Sequence, residues 1–321
     1  MKYILLLIIP VLLDMIIGDP PNFPHPIRYI GWIIKKYENI IRKSNINLKI
    51  GGFLLTGLTL ITVTGVITAI LMLAEKISHN LNIVISIYFL YTSLASKCLD
   101  VETRKVYRAL SEDDINESRK MLSYLVGRDT TSLSKEEVTR GAVETVAENT
   151  IDGVLAPLMF IGVGMYFDAP VQFAFLYKSI NTLDSMVGYI NEKYKDIGFA
   201  SAKLDDIANY IPARLGSFLM LIGGSLLGYN LKNGFKILKR DNRNHKSPNC
   251  GYPESVVAGL LNIQLGGTNT YFGEKVYKPT IGDKNSEIVP SNIVDTIKIM
   301  YASEIILVIL IMTILSLKFT M

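Results

Sequence analysis

Residues 51–74, GGFLLTGLTLITVTGVITAILMLA, contain no Asp, Glu, Lys or Arg. A bilayer core about 30 Å thick needs roughly 20 apolar residues of helix, so this stretch reads as a helix that crosses lipid. Moving outward, 77–96 is a second uncharged run after a short polar turn, and the two predict an antiparallel helical hairpin. Weaker candidates lie at 3–17, interrupted by Asp14, at 153–167, at 215–231, and at 299–317, interrupted by Glu304. The expected fold class is therefore all-α: a polytopic membrane helical bundle of five or six segments. Lys2 followed by an apolar run resembles a secretory signal, but Asp14 breaks it and Gly-Asp-Pro-Pro stands where a small-residue cleavage site belongs, so the first helix is expected to be retained.

Composition agrees. Of 321 residues 49% are hydrophobic and only 19% charged, and the mean hydropathy is +0.31, values that suit a chain living in lipid. The formal charge of +4 is small and dispersed, which excludes a nucleic-acid surface. Cys98 and Cys250 form no Cys-x-x-Cys, and His25, His79 and His245 have no zinc spacing, so neither a disulfide scaffold nor a structural zinc site is expected. If all six segments cross, segments 18–50, 97–152 and 230–298 share one side and carry six, nine and ten of the 33 Lys and Arg. The positive-inside tendency puts that side in the cytoplasm. The organisation expected is one integral-membrane domain, 1–321, with polar cytoplasmic insertions at those three places.

Polar residues gather in four blocks at helix ends and connections. The first holds Asp14, then Gly18-Asp19-Pro20-Pro21 and His25-Pro26, where the prolines force a stiff turn. The second begins at Gly127-Arg128-Asp129-Thr130; Ser134-Lys135-Glu136-Glu137 then fits a capping box, and Arg140, Glu144, Glu148 and Asp152 recur every four residues as one stripe. That stripe reads either as a solvated face with an Arg140–Glu144 ion pair or as a site, since it runs through Asn149-Thr150 into an apolar segment where bare carboxylates are costly. In the third block Lys178, Asn181 and Asp184 project from one side of a helix, and Asp205-Asp206 precede Asn209 and Pro212-Ala213-Arg214. Adjacent acids repel, and want magnesium or an arginine nearby. The fourth runs Lys239-Arg240-Asp241-Asn242-Arg243-Asn244-His245-Lys246-Ser247-Pro248-Asn249, then Gly251-Tyr252-Pro253-Glu254, a cradle for phosphate or carboxylate or else a topogenic basic loop. Gly266-Gly267 opens a stretch ending at Gly273 that could form an anion nest. No P-loop occurs.

Taken in order, these blocks resemble the adenosylcobinamide-phosphate synthase family, integral-membrane cobalamin-biosynthesis proteins called CbiB or CobD. The likeness runs from Asp14 to about Gly273 and is most specific in Gly-Asp-Pro with His-Pro, Glu-x3-Glu-Asn-Thr-x-Asp-Gly at 144–153, Asn-Thr-x-Asp-Ser-Met at 181–186, Asp-Asp-x2-Asn-x2-Pro-Ala-Arg at 205–214 and Arg-Asp-x3-His-x-Ser-Pro-Asn at 240–249. The resemblance implies ATP-dependent ligation of a propionate carboxylate of adenosylcobyric acid to (R)-1-amino-2-propanol or its O-phosphate, with the corrinoid as substrate, ATP as cosubstrate and Mg2+ as cofactor. It implies a plasma-membrane protein with a cytoplasmic active site, and late corrinoid-pathway enzymes as partners. Residue chemistry then gives magnesium to Asp205 and Asp206, with Asp184 available as a third ligand. Lys178, Arg214 and Arg240 go to phosphates or the acyl phosphate, and Glu144 or Glu148 to holding and deprotonating the amine. His245, Ser247 and Asn249 orient a phosphate. Asp19, His25, Arg128, Asn149, Asp152, Asn181 and Asp241 complete the candidate set. With six crossings, 178–214 would face away from the other blocks, so one or more of 153–167, 170–190 and 215–231 are expected to enter the membrane only partway. A membrane phosphotransferase or prenyltransferase, a corrinoid transporter and a non-catalytic scaffold stay open as alternatives.

Overall fold

The structure is a computed structural model describing residues 2–20, 23–271 and 274–320; Pro21 of the first block and Gly273 of the glycine stretch lie outside the described residues. In chain order the helices are α1 (Lys2–Ile17), α2 (Pro26–Lys43), α3 (Leu48–Ile77), α4 (His79–Tyr91), α5 (Ser96–Ser111), α6 (Ile115–Ser123) and α7 (Lys135–Asn149). A π-helical turn, Thr150–Leu155, joins α7 to α8 (Ala156–Tyr166). Then come α9 (Pro170–Val187), α10 (Phe199–Ala208), α11 (Tyr210–Leu226), α12 (Leu231–Asp241) and α13 (Gly251–Leu261), a hairpin of β1 (Leu265–Tyr271) and β2 (Glu274–Ile281), and α14 (Ser291–Thr320). The protein is an all-α polytopic membrane protein to which one antiparallel hairpin is added.

Among the described residues four helical runs are long and apolar enough to cross a membrane: Leu48–Ile77, His79–Ser111, Lys135–Tyr166 and Ser291–Lys318. Tyr3–Ile17 and Tyr210–Leu226 are shorter apolar helices. All six apolar stretches of the sequence therefore fall on helices, with two shifts. The stretch read at 153–167 is the end of a longer run that includes the charged stripe of α7. The stretch read at 215–231 starts earlier, at Tyr210, and stops at Leu226, because Gly228 takes a left-handed φ of 88° and Asn230 caps α12 through the Asn233 amide. At 17 residues, α11 is about 26 Å long, short of a bilayer core.

Local chemistry sets the starts. Pro26 occupies the first turn of α2, where its missing N–H costs nothing. Asn47 accepts from the Lys49 and Ile50 amides at the head of α3. Ser134 and Glu137 form the full capping box of α7. Only Ser78 separates α3 from α4, and Asn82 Nδ2 donates back to the Leu71 carbonyl, closing the expected hairpin. In β1, Gly266 and Gly267 take φ values of 78° and 92°, where a bulge breaks the pairing between Leu265↔Ile281 and Gly267↔Lys278.

The chain forms two compact units. One comprises 1–95, 156–209 and 310–321, the other 96–155 and 210–309. In the first, α3 packs on α2, α4 and α9, and α8 pairs with α9. Gly52 lies so close to the Ile197 carbonyl that a Cβ would sit 2.3 Å from its oxygen. In the second, α12 and α13 pack against each other and α13 also meets α7 and α11. The acids that interrupted two apolar stretches, Asp14 and Glu304, are fully buried, not turned to lipid.

Candidate active site

In the second unit the stripe of α7 points inward. Glu144 is 6% exposed and Arg128 8%. Arg128 Nη1 lies 3.2 Å from Glu144 Oε2, the Gly266 amide donates to Oε1 at 2.9 Å, and Arg140 Nε stands 4.0 Å away. Gly141 makes the room, since a Cβ there would meet Arg128 Nη2 at 2.1 Å. The expected Arg140–Glu144 pair exists, but Arg128 is the nearer partner. The Gly-Gly amide read as an anion nest is already used, and its anion is a side chain of the same protein. One helical turn on, Glu148 Oε1 accepts the thiol proton of Cys250 at 3.0 Å. Burial first, then the charges of Glu148 and Asp152, push the Cys250 thiol well above its ordinary range, so it remains S–H.

Arg128, Glu144, Glu148, Asn149, Glu254 and Lys278 line one cavity of about 170 Å³. Glu254, 3% exposed on α13, is raised well above the carboxylate range by burial and then by Glu144. Its proton is therefore held more tightly than that of an ordinary carboxyl. His245 is lowered by burial first and by Lys278 second, and is therefore neutral. Its Nδ1 accepts from the Ser247 amide at 3.0 Å, which leaves the proton on Nε2, 3.9 Å from Glu254 Oε1 and 3.5 Å from Lys278 Nζ. Ser247 Oγ accepts from the Asn249 and Cys250 amides and so starts α13. Asn249 Oδ1 accepts from Arg214 Nη1 at 3.3 Å, and the Arg214 guanidinium lies 3.4 Å from the Tyr210 ring centre and 4.4 Å from that of Tyr252. Arg240 turns to acids instead: it grips Asp241 through two bonds of 2.7 Å and Asp283 at 2.8 Å, while Asp241 also accepts from the Gly282 amide. Asp152 sits in the π-helical turn, a feature common at functional sites.

The first unit holds the remaining candidates. Asp19 Oδ1 lies 3.2 Å from His25 Nε2, and both line a cavity of about 320 Å³ with Arg28, Thr92 and Lys178. About one turn further along α9, Asn181 hydrogen-bonds to Asp205, while Asp184 raises its pKa. Tyr177 donates to Asn209 Oδ1 at 2.9 Å, and Asn209 Nδ2 donates to Asp205 Oδ2 at 3.1 Å. Burial first and Asp184 second lift the Asp205 carboxyl to about 7. Asp206 points the other way and pairs with Lys203 at 3.0 Å. Adjacent positions on a helix differ by about 100°, which separates the two acids. Among the described residues no group of three or more His, Cys, Asp and Glu is arranged to hold a metal.

Sequence reasoning gave no role to Cys250, Glu254, Lys278 or Asp283. A signal for Glu254 was present: an acid heading the run Ser-Val-Val-Ala-Gly-Leu-Leu needs a polar lining. Lys278 and Asp283 stand beyond the last block and carry no such signal.

The helices and the acid-and-base cavity together define a polytopic membrane protein with a polar site. The family model described as CobD/Cbib protein matches residues 7–300. Cobalamin biosynthesis protein CobD of Clostridium tetani is 48% identical over 310 residues, 95% of each chain, and its namesake in Clostridium perfringens is 51% identical over 295 residues, 92% of each. Cobalamin biosynthesis protein CbiB of Salmonella arizonae is 45% identical over 295 residues, 91% of each chain. No solved structure matches. The chain belongs to the CobD/CbiB family of cobalamin-biosynthesis proteins.

Proposed function

We propose that the protein is the ATP-dependent ligase that joins the propionate carboxylate of adenosylcobyric acid to (R)-1-amino-2-propanol or its O-phosphate, working at the cytoplasmic face of the plasma membrane. The observation that carries this reading is the Glu148 cavity: one carboxylate bonded to a neutral thiol, beside Lys278 and a buried Glu254 whose pKa is raised. An amine arriving as ammonium finds a counter-ion and a proton acceptor in Glu148. A carboxylate does not condense with an amine unaided, so phosphoryl transfer from ATP to the propionate oxygen activates it, releasing ADP. Glu148 takes one proton from the ammonium, the free amine nitrogen attacks the acyl carbon, and phosphate leaves with the C–O electron pair and takes the second N–H proton. Lys278 and Arg128 stabilise the anionic charge that develops. Glu144, held on three sides, positions Arg128 in place of acting as the base.

Asp205 and Asp184 are the residues that would hold magnesium: two mutually repelling hard carboxylates whose charge the ion would offset. Bound there, the ion would neutralise phosphate charge. Asp206 is engaged by Lys203. Lys178, with Asp19 and His25, lines a cavity suited to an anionic group.

Purified protein incubated with adenosylcobyric acid, aminopropanol phosphate and Mg-ATP should yield a corrinoid heavier by the amine less one water, and omitting ATP should abolish it. An unchanged corrinoid mass overturns the reading. Corrinoid uptake into vesicles without amide formation would make the protein a transporter, and binding without turnover a scaffold.

A further inference from the structure

Helix α2 has one partnered face. Ile30, Ile34, Glu38 and Ile41 point inward, a Cβ on Gly51 of α3 would meet Ile41, and the Tyr37 hydroxyl pairs with Thr62 Oγ1 at 2.8 Å. The other face is exposed and is not an ordinary solvated surface. Tyr29 is 64% exposed, Trp32 61% and Ile40 56%, and Arg28, Lys35, Lys36 and Lys43 are exposed among them. Advancing by about 100° per residue, Tyr29, Ile33 and Ile40 fall on one flank of this stripe, Arg28, Lys35 and Asn39 on the other, and Trp32, Lys36 and Lys43 between. Lys36 Nζ stands 4.9 Å from the Trp32 ring centre. The outward stripe is thus itself divided into an apolar and a cationic flank, with the tryptophan at the border.

Position agrees with pattern. Only residues 44–47 join α2 to α3, a run that can span the bilayer, and four residues reach at most about 14 Å. The end of α2 is therefore tethered close to the start of a membrane segment. Tryptophan and tyrosine settle at the level of lipid headgroups, and clustered lysines are attracted by anionic lipid. We propose that α2 is a membrane-surface helix whose exposed face seats Trp32 and Tyr29 at the boundary of acyl chains and headgroups and binds anionic phospholipid through Arg28, Lys35, Lys36 and Lys43. This surface is independent of the ligase reading.

Trp32 is the only tryptophan in the chain, so intrinsic fluorescence reports this face alone. The full-length protein is placed in nanodiscs of phosphatidylcholine and phosphatidylglycerol with one lipid brominated. Bromines near the glycerol end of the acyl chains should remove most of the Trp32 emission, and those near the methyl end much less. At equal mole fraction brominated phosphatidylglycerol should quench more than brominated phosphatidylcholine, and Lys35→Glu with Lys36→Glu should erase that preference. Emission quenched by aqueous acrylamide and indifferent to every brominated lipid overturns the proposal. So does shielding that grows with protein concentration, which would make the occupant a second copy, and so does a preference that survives both charge reversals.

Discussion

Glu144 and Asp205 are both carboxylates drawn into polar interiors, and the protein neutralises them in opposite ways. Glu144 is surrounded by fixed positive groups: Arg128 at 3.2 Å, the Gly266 amide at 2.9 Å and Arg140 at 4.0 Å. Asp205 has amide donors from Asn181 and Asn209, a second acid, Asp184, as its charged neighbour, and a pKa near 7. The first is an ion pair completed by the fold. The second is compensated by a proton that leaves as pH rises. Fixed charge organises a cavity, whereas exchangeable charge is what the proposed binding of a metal-nucleotide would use.

The largest effect expected from breaking this contrast is on the fixed side. Arg128→Leu leaves Glu144 buried without its main partner and should cost about 3–5 kcal/mol in thermal unfolding of the detergent-solubilised protein. Adding Glu144→Gln should return part of that loss, and an additive double variant would separate the two residues. Next comes the cation facing the reacting groups. Lys278→Met should lower kcat/KM by about 10²-fold at little cost in stability, and the change belongs in kcat if Lys278 meets charge only as it develops.

On the exchangeable side the sign follows from a raised folded-state pKa. Protonation of Asp205 stabilises the fold fully below the unfolded value of 3.8, and that stabilisation is lost as pH climbs through about 7. The wild type should lose stability across that window, on the order of a few kcal/mol, and Asp205→Asn should flatten the curve there. A variant with an unchanged pH profile would place the titrating group elsewhere. The smallest effect is that of Cys250→Ala, which removes one S–H···O contact to Glu148 and should cost about 1 kcal/mol or less in stability. It should also shift the acid limb of the pH–rate profile, a readout that packing alone would leave in place.

Much of this was legible in the sequence, and the rest was hidden for identifiable reasons. The apolar runs and the Ser134–Glu137 box depend on neighbours in the chain; the box appears where it was read, and the runs do so apart from the shifts at 153–167 and 215–231. The acids and bases of blocks two to four were named, but apart from the Arg140–Glu144 pair their partners were not. Arg240 looked like a phosphate ligand because Asp283 lies forty-three positions on, across a hairpin that no periodicity announced. The Gly266 amide looked like a nest for a ligand because nothing local tells that Glu144, 122 positions earlier, would occupy it. Lys278 was overlooked because one lysine on a short strand resembles any other. Long-range pairing, not residue choice, is what single-sequence reasoning lacked.

The central claim is that the Glu148 carboxylate accepts the proton of the attacking amine. Its most direct test is Glu148→Gln, compared with wild type for corrinoid product mass and for corrinoid binding in the same preparation. The account predicts that binding persists while product formation falls by about 10²-fold to 10⁴-fold. Product formation at the wild-type rate by the folded variant would contradict it.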